Sequence, residues 1–105
     1  MRALCNLVDI PDGEALALPY KDRSLVLVRR GLKAYAYVNR CPHAGVELQW
    51  QEYRFMSLDG TQLQCSTHGA LFNIHNGYCT WGPCQGRSLQ SLAINIENGM
   101  VYLME

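Results

Sequence analysis

The sequence has no excess of charge of either sign and no long apolar run. Lysine plus arginine and aspartate plus glutamate number nine each, so the formal net charge is zero, and basic residues form no cluster. A general nucleic-acid binder needs such clusters, so we expect no nucleic-acid partner. No apolar stretch approaches the ~20 residues that span a bilayer, so we expect no membrane segment. Acidic residues lie where a signal peptide needs its apolar centre, which predicts a cytoplasmic protein.

Sustained helical periodicity is also lacking. Runs of β-forming residues, such as residues 25–28 and 34–38, alternate with turn signals instead. The turn signals are Arg30-Gly31, Asp59-Gly60, Asn76-Gly77 and Asn98-Gly99. The chain of 105 residues is therefore predicted to form one domain, residues 1–105. We expect an all-β fold of antiparallel sheets, a sandwich or a partly open barrel, with the first twenty residues as an edge strand.

The cysteines are few and odd in number, at positions 5, 41, 65, 79 and 84. An odd count without an export signal does not indicate a disulfide framework, so metal ligation, catalysis or burial must explain them. A disulfide between Cys79 and Cys84 is conceivable, but in a reducing cytosol small packing residues are the better prediction. Cys5 is most simply a strand residue.

Only three histidines are present, and two of them lie close to a cysteine. Cys41-x-His43 and Cys65-x-x-His68 each contribute one sulfur and one nitrogen ligand, which suits zinc or iron–sulfur chemistry. Structural zinc sites usually pair cysteine with cysteine and histidine with histidine. Mixed pairs favour a centre with two unlike irons, but zinc remains open at this point.

The motifs around these pairs resemble those of Rieske-type [2Fe–2S] proteins. The first loop reads Cys-Pro-His at residues 41–43, and the second reads CSTHGALF at residues 65–72. Asn76-Gly77 and the Gly82-Pro83 loop resemble the family's next hairpin and the loop that covers its cluster, and alternation over residues 92–96 resembles its closing hairpin. The resemblance implies a Rieske-like fold with a two-loop cluster-binding subdomain at about residues 41–84. It implies one [2Fe–2S] cluster per chain, with these ligands: Cys41 and Cys65 on one iron, His43 and His68 on the other.

The resemblance further implies an electron carrier that is not itself an enzyme and has no catalytic residues. The expected partners are a flavin reductase and a terminal oxygenase or other reductase, docking near the cluster tip. Two alternatives stay open: a small subunit of a larger enzyme, such as an assimilatory nitrite reductase, and a structural zinc module that binds another protein.

The resemblance also predicts where the reduction potential lies. High-potential members carry an extra cysteine in each loop, joined as a disulfide, where this sequence has Val46 and Thr67. They also carry a serine and a tyrosine that donate hydrogen bonds to sulfur, where this sequence has Ala70 and Phe72. Without these groups we expect a potential at the low end of the Rieske range.

Overall fold

The computed structural model describes residues 1–42, 45–49, 54–66 and 69–104, and within them the regular elements are strands, with turns and irregular loops between them. A short 3-10 turn at Leu7–Asp9 is the one helical element of the described residues. Nothing in this part of the chain is a helix long and apolar enough to cross a membrane. The strands are β1 Arg2–Asn6, β2 Ala15–Tyr20, β3 Arg23–Arg30, β4 Lys33–Val38, β5 Gln62–Gln64, β6 Leu71–Asn73, β7 Cys79–Trp81, β8 Ser91–Leu92, β9 Ile94–Glu97 and β10 Met100–Leu103.

The strands form three antiparallel sheets. The first has the order β1-β10-β9, the second β2-β3-β4-β8 and the third β5-β6-β7. Every strand pair of the described residues runs antiparallel, and none of their three sheets closes on itself into a barrel. The prediction of an all-β fold of antiparallel sheets is confirmed.

Strand β3 explains how the sheets share a core. Successive side chains on a strand point to opposite faces, so a strand covered on both faces reads as one continuous apolar run. Val26 and Val28 pack in one buried cluster, and Leu27 packs in another. The first cluster contains residues of the third sheet, and the second contacts Leu92 and residues of the first sheet. The second sheet is therefore the middle layer of the molecule.

The predicted hairpins are present, and the glycine of each predicted turn, Gly31, Gly60, Gly77 and Gly99, has positive φ. Asn98 and Gly99 both have positive φ, 51° and 78°, as a two-residue turn between β9 and β10 requires. Gly77 has a φ of 72°, and a Cβ there would lie 2.8 Å from Cε1 of Tyr37. Glycine is needed at this turn both for its backbone angle and for close packing.

Two expectations about strand boundaries were wrong. The first twenty residues form two edge strands rather than one, with β1 in the first sheet and β2 in the second. The alternating run at residues 92–96 also divides, because β8 pairs with β4 whereas β9 pairs with β10. The chain passes from one sheet to the other at Ala93. Alternation reports which faces are apolar, and it carries no information about which sheet each face meets.

Candidate metal centre

Two strands deliver the candidate cysteine ligands to the same region. Cys41 follows β4 after a short connection, and Cys65 follows β5 directly. Each residue is 1% exposed, and both belong to the buried cluster that includes Leu63 and Phe72. The two sulfur-bearing residues are thus removed from water at the edge of a shared apolar core.

The two loops that begin at these cysteines are closed in the same way. The Cys41 amide donates to the carbonyl of Val46 at 2.7 Å, and the Cys65 amide donates to the carbonyl of Ala70 at 2.8 Å. Each bond spans five residues, and each loop contains a glycine with positive φ just before its end, Gly45 and Gly69. We call residues 41–46 the first Cys-His loop and residues 65–70 the second Cys-His loop. The matching hydrogen bonds and glycine positions indicate that the two Cys-His loops are structurally equivalent.

Hydrogen bonds join the second Cys-His loop to the segment that follows the first. The Ser66 amide donates to the carbonyl of Leu48 at 2.8 Å, and the Ser66 hydroxyl donates to the carbonyl of Glu47 at 3.1 Å. The two loops are therefore connected through backbone groups rather than through the candidate ligands alone.

Asn39 anchors this segment to the second sheet, a role that was not predicted from the sequence. It is 4% exposed, and its side-chain oxygen accepts the Leu48 amide at 2.8 Å. Its side-chain nitrogen donates to Oγ of Ser24 at 3.2 Å and to Oε1 of Gln49 at 3.0 Å. The sequence around Asn39 gives no signal for this anchoring role, because its hydrogen-bond partners are 9 to 15 residues away along the chain.

A third loop, residues 79–87, contacts both Cys-His loops, and we call it the bridge loop. Its ends are joined by the Cys79 amide, which donates to the carbonyl of Arg87 at 2.8 Å. Gly82 lies so close to the second Cys-His loop that a Cβ would be 2.9 Å from Cα of Ala70. The guanidinium of Arg87 donates to the carbonyl of Pro42 in the first loop at 3.1 Å. The expected position of Gly82-Pro83 beside the Cys-His loops thus has a structural basis.

The bridge loop contains two further buried sulfurs. Cys79 and Cys84 are 0% and 1% exposed, as predicted for packing residues, and their Sγ atoms lie 2.9 Å apart. None of the five cysteines, all in the described part of the chain, forms a disulfide. Burial raises the pKa of the Cys84 thiol to about 12, and the contact with Cys79 adds to the rise. Cys84 is therefore a neutral thiol at neutral pH.

His43, His68 and Thr67 lie outside the described residues, so the predicted nitrogen ligands remain predictions. Within residues 1–42, 45–49, 54–66 and 69–104, no three His, Cys, Asp or Glu side chains gather as a metal site. His75, the remaining histidine, is exposed beside the Asn76-Gly77 turn. The two predicted sulfur ligands are buried, one at the start of each matching loop, and this donor chemistry fits an iron–sulfur cluster.

An apolar rim borders the two Cys-His loops. Val46 is 43% exposed and Trp81 is 58% exposed, and Pro83 is also exposed. The exposure of Trp81 was not predicted from the sequence. The only available signal was its place beside the glycine and proline of the bridge loop. Large exposed aromatic side chains are typical of protein-binding surfaces.

Comparison with known proteins points to one family. The sequence profile of the Rieske [2Fe-2S] domain matches residues 1–96. The chain is 27% identical over 101 residues to the ferredoxin component of the p-cumate 2,3-dioxygenase system of Pseudomonas putida, covering 95% of this chain and 81% of that protein. It is also 27% identical over 101 residues to the 3-phenylpropionate/cinnamic acid dioxygenase ferredoxin subunit of Shigella flexneri, covering 94% of this chain and 88% of that one.

Solved structures agree with the sequence relatives. The Sphingomonas yanoikuyae B1 ferredoxin superposes with a TM-score of 0.80 at 26% identity, covering 98% of this chain and 96% of that one. A ferredoxin chain in a complex of reduced oxygenase and oxidized ferredoxin of carbazole 1,9a-dioxygenase superposes with a TM-score of 0.79 at 25% identity. That match covers 96% of this chain and 89% of the other.

Proposed function

The chain belongs to the Rieske [2Fe-2S] domain family, and from this premise we propose that it carries single electrons to a terminal oxygenase. In this proposal Cys41, His43, Cys65 and His68 hold one [2Fe–2S] cluster. The observation that carries the proposal is the pair of Cys-His loops, each starting at a buried cysteine and closed by the same backbone hydrogen bond. When bound, the cluster supplies reversible one-electron transfer.

The chain's own residues hold the centre and exclude water from it. Buried Cys41 and Cys65 supply the thiolates, and the neighbouring buried residues Ala70 and Phe72 present no hydroxyl group. We expect few side-chain hydrogen bonds to sulfur, and hence a reduction potential toward −150 mV within the Rieske range of about −150 to +300 mV.

The expected partners follow from the relatives, which are ferredoxin components of dioxygenase systems. A reductase would load the electron, and an oxygenase would receive it. The exposed apolar rim formed by Val46, Trp81 and Pro83 borders the Cys-His loops and is suited to a small, transient interface. A cytoplasmic location remains part of this proposal.

The proposed ligands can be tested with controls that the chain itself provides. We would purify the wild type without oxygen, measure iron and acid-labile sulfide, and record absorption and electron paramagnetic resonance spectra before and after dithionite. The test variants are Cys41→Ala, Cys65→Ala, His43→Ala and His68→Ala. The matched controls are Cys5→Ala, at a half-buried strand position, and His75→Ala, at an exposed turn.

We expect two irons and two sulfides per wild-type chain, loss of the spectrum in the four test variants, and an unchanged spectrum in both controls. A colourless protein with one zinc and no sulfide per chain would contradict the electron-carrier proposal and support a structural zinc module. Size-exclusion chromatography of the native protein distinguishes a free carrier from an enzyme subunit, because a carrier elutes alone, near its 11.9 kDa chain mass.

A further inference from the structure

The bridge loop contains a sulfur pair that the proposed electron carrier does not use. Cys79 and Cys84 are both buried, and their Sγ atoms are 2.9 Å apart. The Cys79 sulfur also donates to the carbonyl of Trp81 at 3.3 Å. Because a thiol has one proton, Cys79 uses its proton on that carbonyl, and Cys84 donates to the Cys79 sulfur. The two side chains therefore point at each other as a matched donor and acceptor.

This spacing favours a disulfide over a metal site. Two thiolates on one tetrahedral zinc lie about 3.8 Å apart, given zinc–sulfur bonds of about 2.3 Å. The described residues bring no third His, Cys, Asp or Glu ligand to the pair. A disulfide needs its sulfurs about 2.05 Å apart, so this pair has to close by less than about 1 Å.

The bridge loop contacts both Cys-His loops, so a disulfide between Cys79 and Cys84 would affect the packing of both. Gly82 lies between the two cysteines and packs against the backbone of Ala70. Arg87, at the end of the bridge loop, donates to the Pro42 carbonyl. The residues that follow Cys84, from Gln85 to Ser88, are exposed, so a local opening of this loop admits a small oxidant.

We propose that Cys79 and Cys84 are a redox modification site, where hydrogen peroxide converts the two thiols into an intramolecular disulfide. After the loop opens to water, one thiol loses its proton and its sulfur attacks peroxide, giving a sulfenic acid and, with that proton, one water. The second thiol then displaces another water from the sulfenic acid to form the S–S bond. Two thiols thus lose two protons and two electrons, and one peroxide becomes two waters. A dithiol reductant returns the disulfide to two thiols and is itself oxidised to a disulfide.

The chain's cleavage pattern makes the test direct. Cluster-loaded wild type would receive graded hydrogen peroxide, then catalase, then N-ethylmaleimide in denaturant to label every remaining thiol. Chymotrypsin cleavage after Trp81 separates the two cysteines, so a disulfide appears as one linked pair of peptides in mass spectrometry. The variants Cys79→Ser and Cys84→Ser are the tests, and Cys5→Ser, in a different sheet, is the matched control. Iron and sulfide are measured in the same samples.

In the wild type and in Cys5→Ser we expect a loss of two labelled thiols, both assigned to positions 79 and 84, with full recovery after dithiothreitol. Neither serine variant at those positions should form the link. The proposal is overturned if both cysteines stay labelled at a peroxide dose that oxidises Cys5, because they are then packing residues only. It is also overturned if Cys84 links to Cys41 instead. The wild-type peptide map tests the disulfide even if a serine variant fails to fold. The iron and sulfide contents test the proposed cluster separately.

Discussion

Replacing Asn39 with alanine tests whether one buried side chain holds the segment after the first Cys-His loop to the sheet. The change removes the acceptor of the buried Leu48 amide, which costs about 1–3 kcal/mol when no partner replaces it. The two bonds donated by the side-chain nitrogen add less, because Ser24 and Gln49 are half-buried and water can replace the lost donor. We expect a total loss of about 2–4 kcal/mol in the free energy of unfolding.

The assay is thermal unfolding of the cluster-loaded protein by circular dichroism, together with the rate of iron release to a chelator. At about 4 °C per kcal/mol for a domain of this size, the apparent Tm should fall by about 8–16 °C. Iron release should also accelerate, because Leu48 accepts a hydrogen bond from Ser66 in the second Cys-His loop. Asn39 thus acts on both loops through the same short segment.

The matched control is Asn95→Ala, which removes an asparagine whose side chain donates to Glu97 on an exposed strand edge. We expect its unfolding free energy to stay within about 0.5 kcal/mol of the wild type. If Asn39→Ala melts at the wild-type temperature and retains iron as well as Asn95→Ala does, the anchoring role assigned to Asn39 is refuted.

Two further variants test the packing around the site. Tyr37→Phe removes the donor to the buried Ile74 carbonyl and should cost about 1–3 kcal/mol in denaturant unfolding at pH 7. Burial, aided by a neighbouring tyrosine, raises the pKa of Tyr37 from 10.0 to about 12, so its stabilising effect is complete below pH 10. The stability gap between wild type and variant should close as pH rises from 10 to 12, and a constant gap would contradict this. Gly82→Ala places a Cβ against the second Cys-His loop and should accelerate iron release, whereas Gly86→Ala, with similar φ in open space, should leave the rate near that of the wild type. If both alanine variants release iron equally faster than the wild type, backbone strain rather than the contact with Ala70 is responsible.

Several features followed from short-range sequence signals alone. Asn-Gly and Asp-Gly turns between apolar runs predicted the hairpins, because few residues other than glycine and asparagine adopt the required positive φ. The spacing within each Cys-His pair identified the two loops, and the burial of Cys41 and Cys65 agrees with their proposed role. The absence of a hydroxyl group at Ala70 and Phe72 was also evident from the sequence, because it depends only on residue identity.

Long-range contacts required the folded chain. The Asn39 anchor, the division of residues 92–96 between two sheets and the contact between Arg87 and Pro42 all depend on which surfaces meet in three dimensions. Local propensity and alternation specify where a strand runs and which of its faces is apolar, because those properties depend on neighbours along the chain. Which loops contact one another is decided only when separate sheets pack into one core.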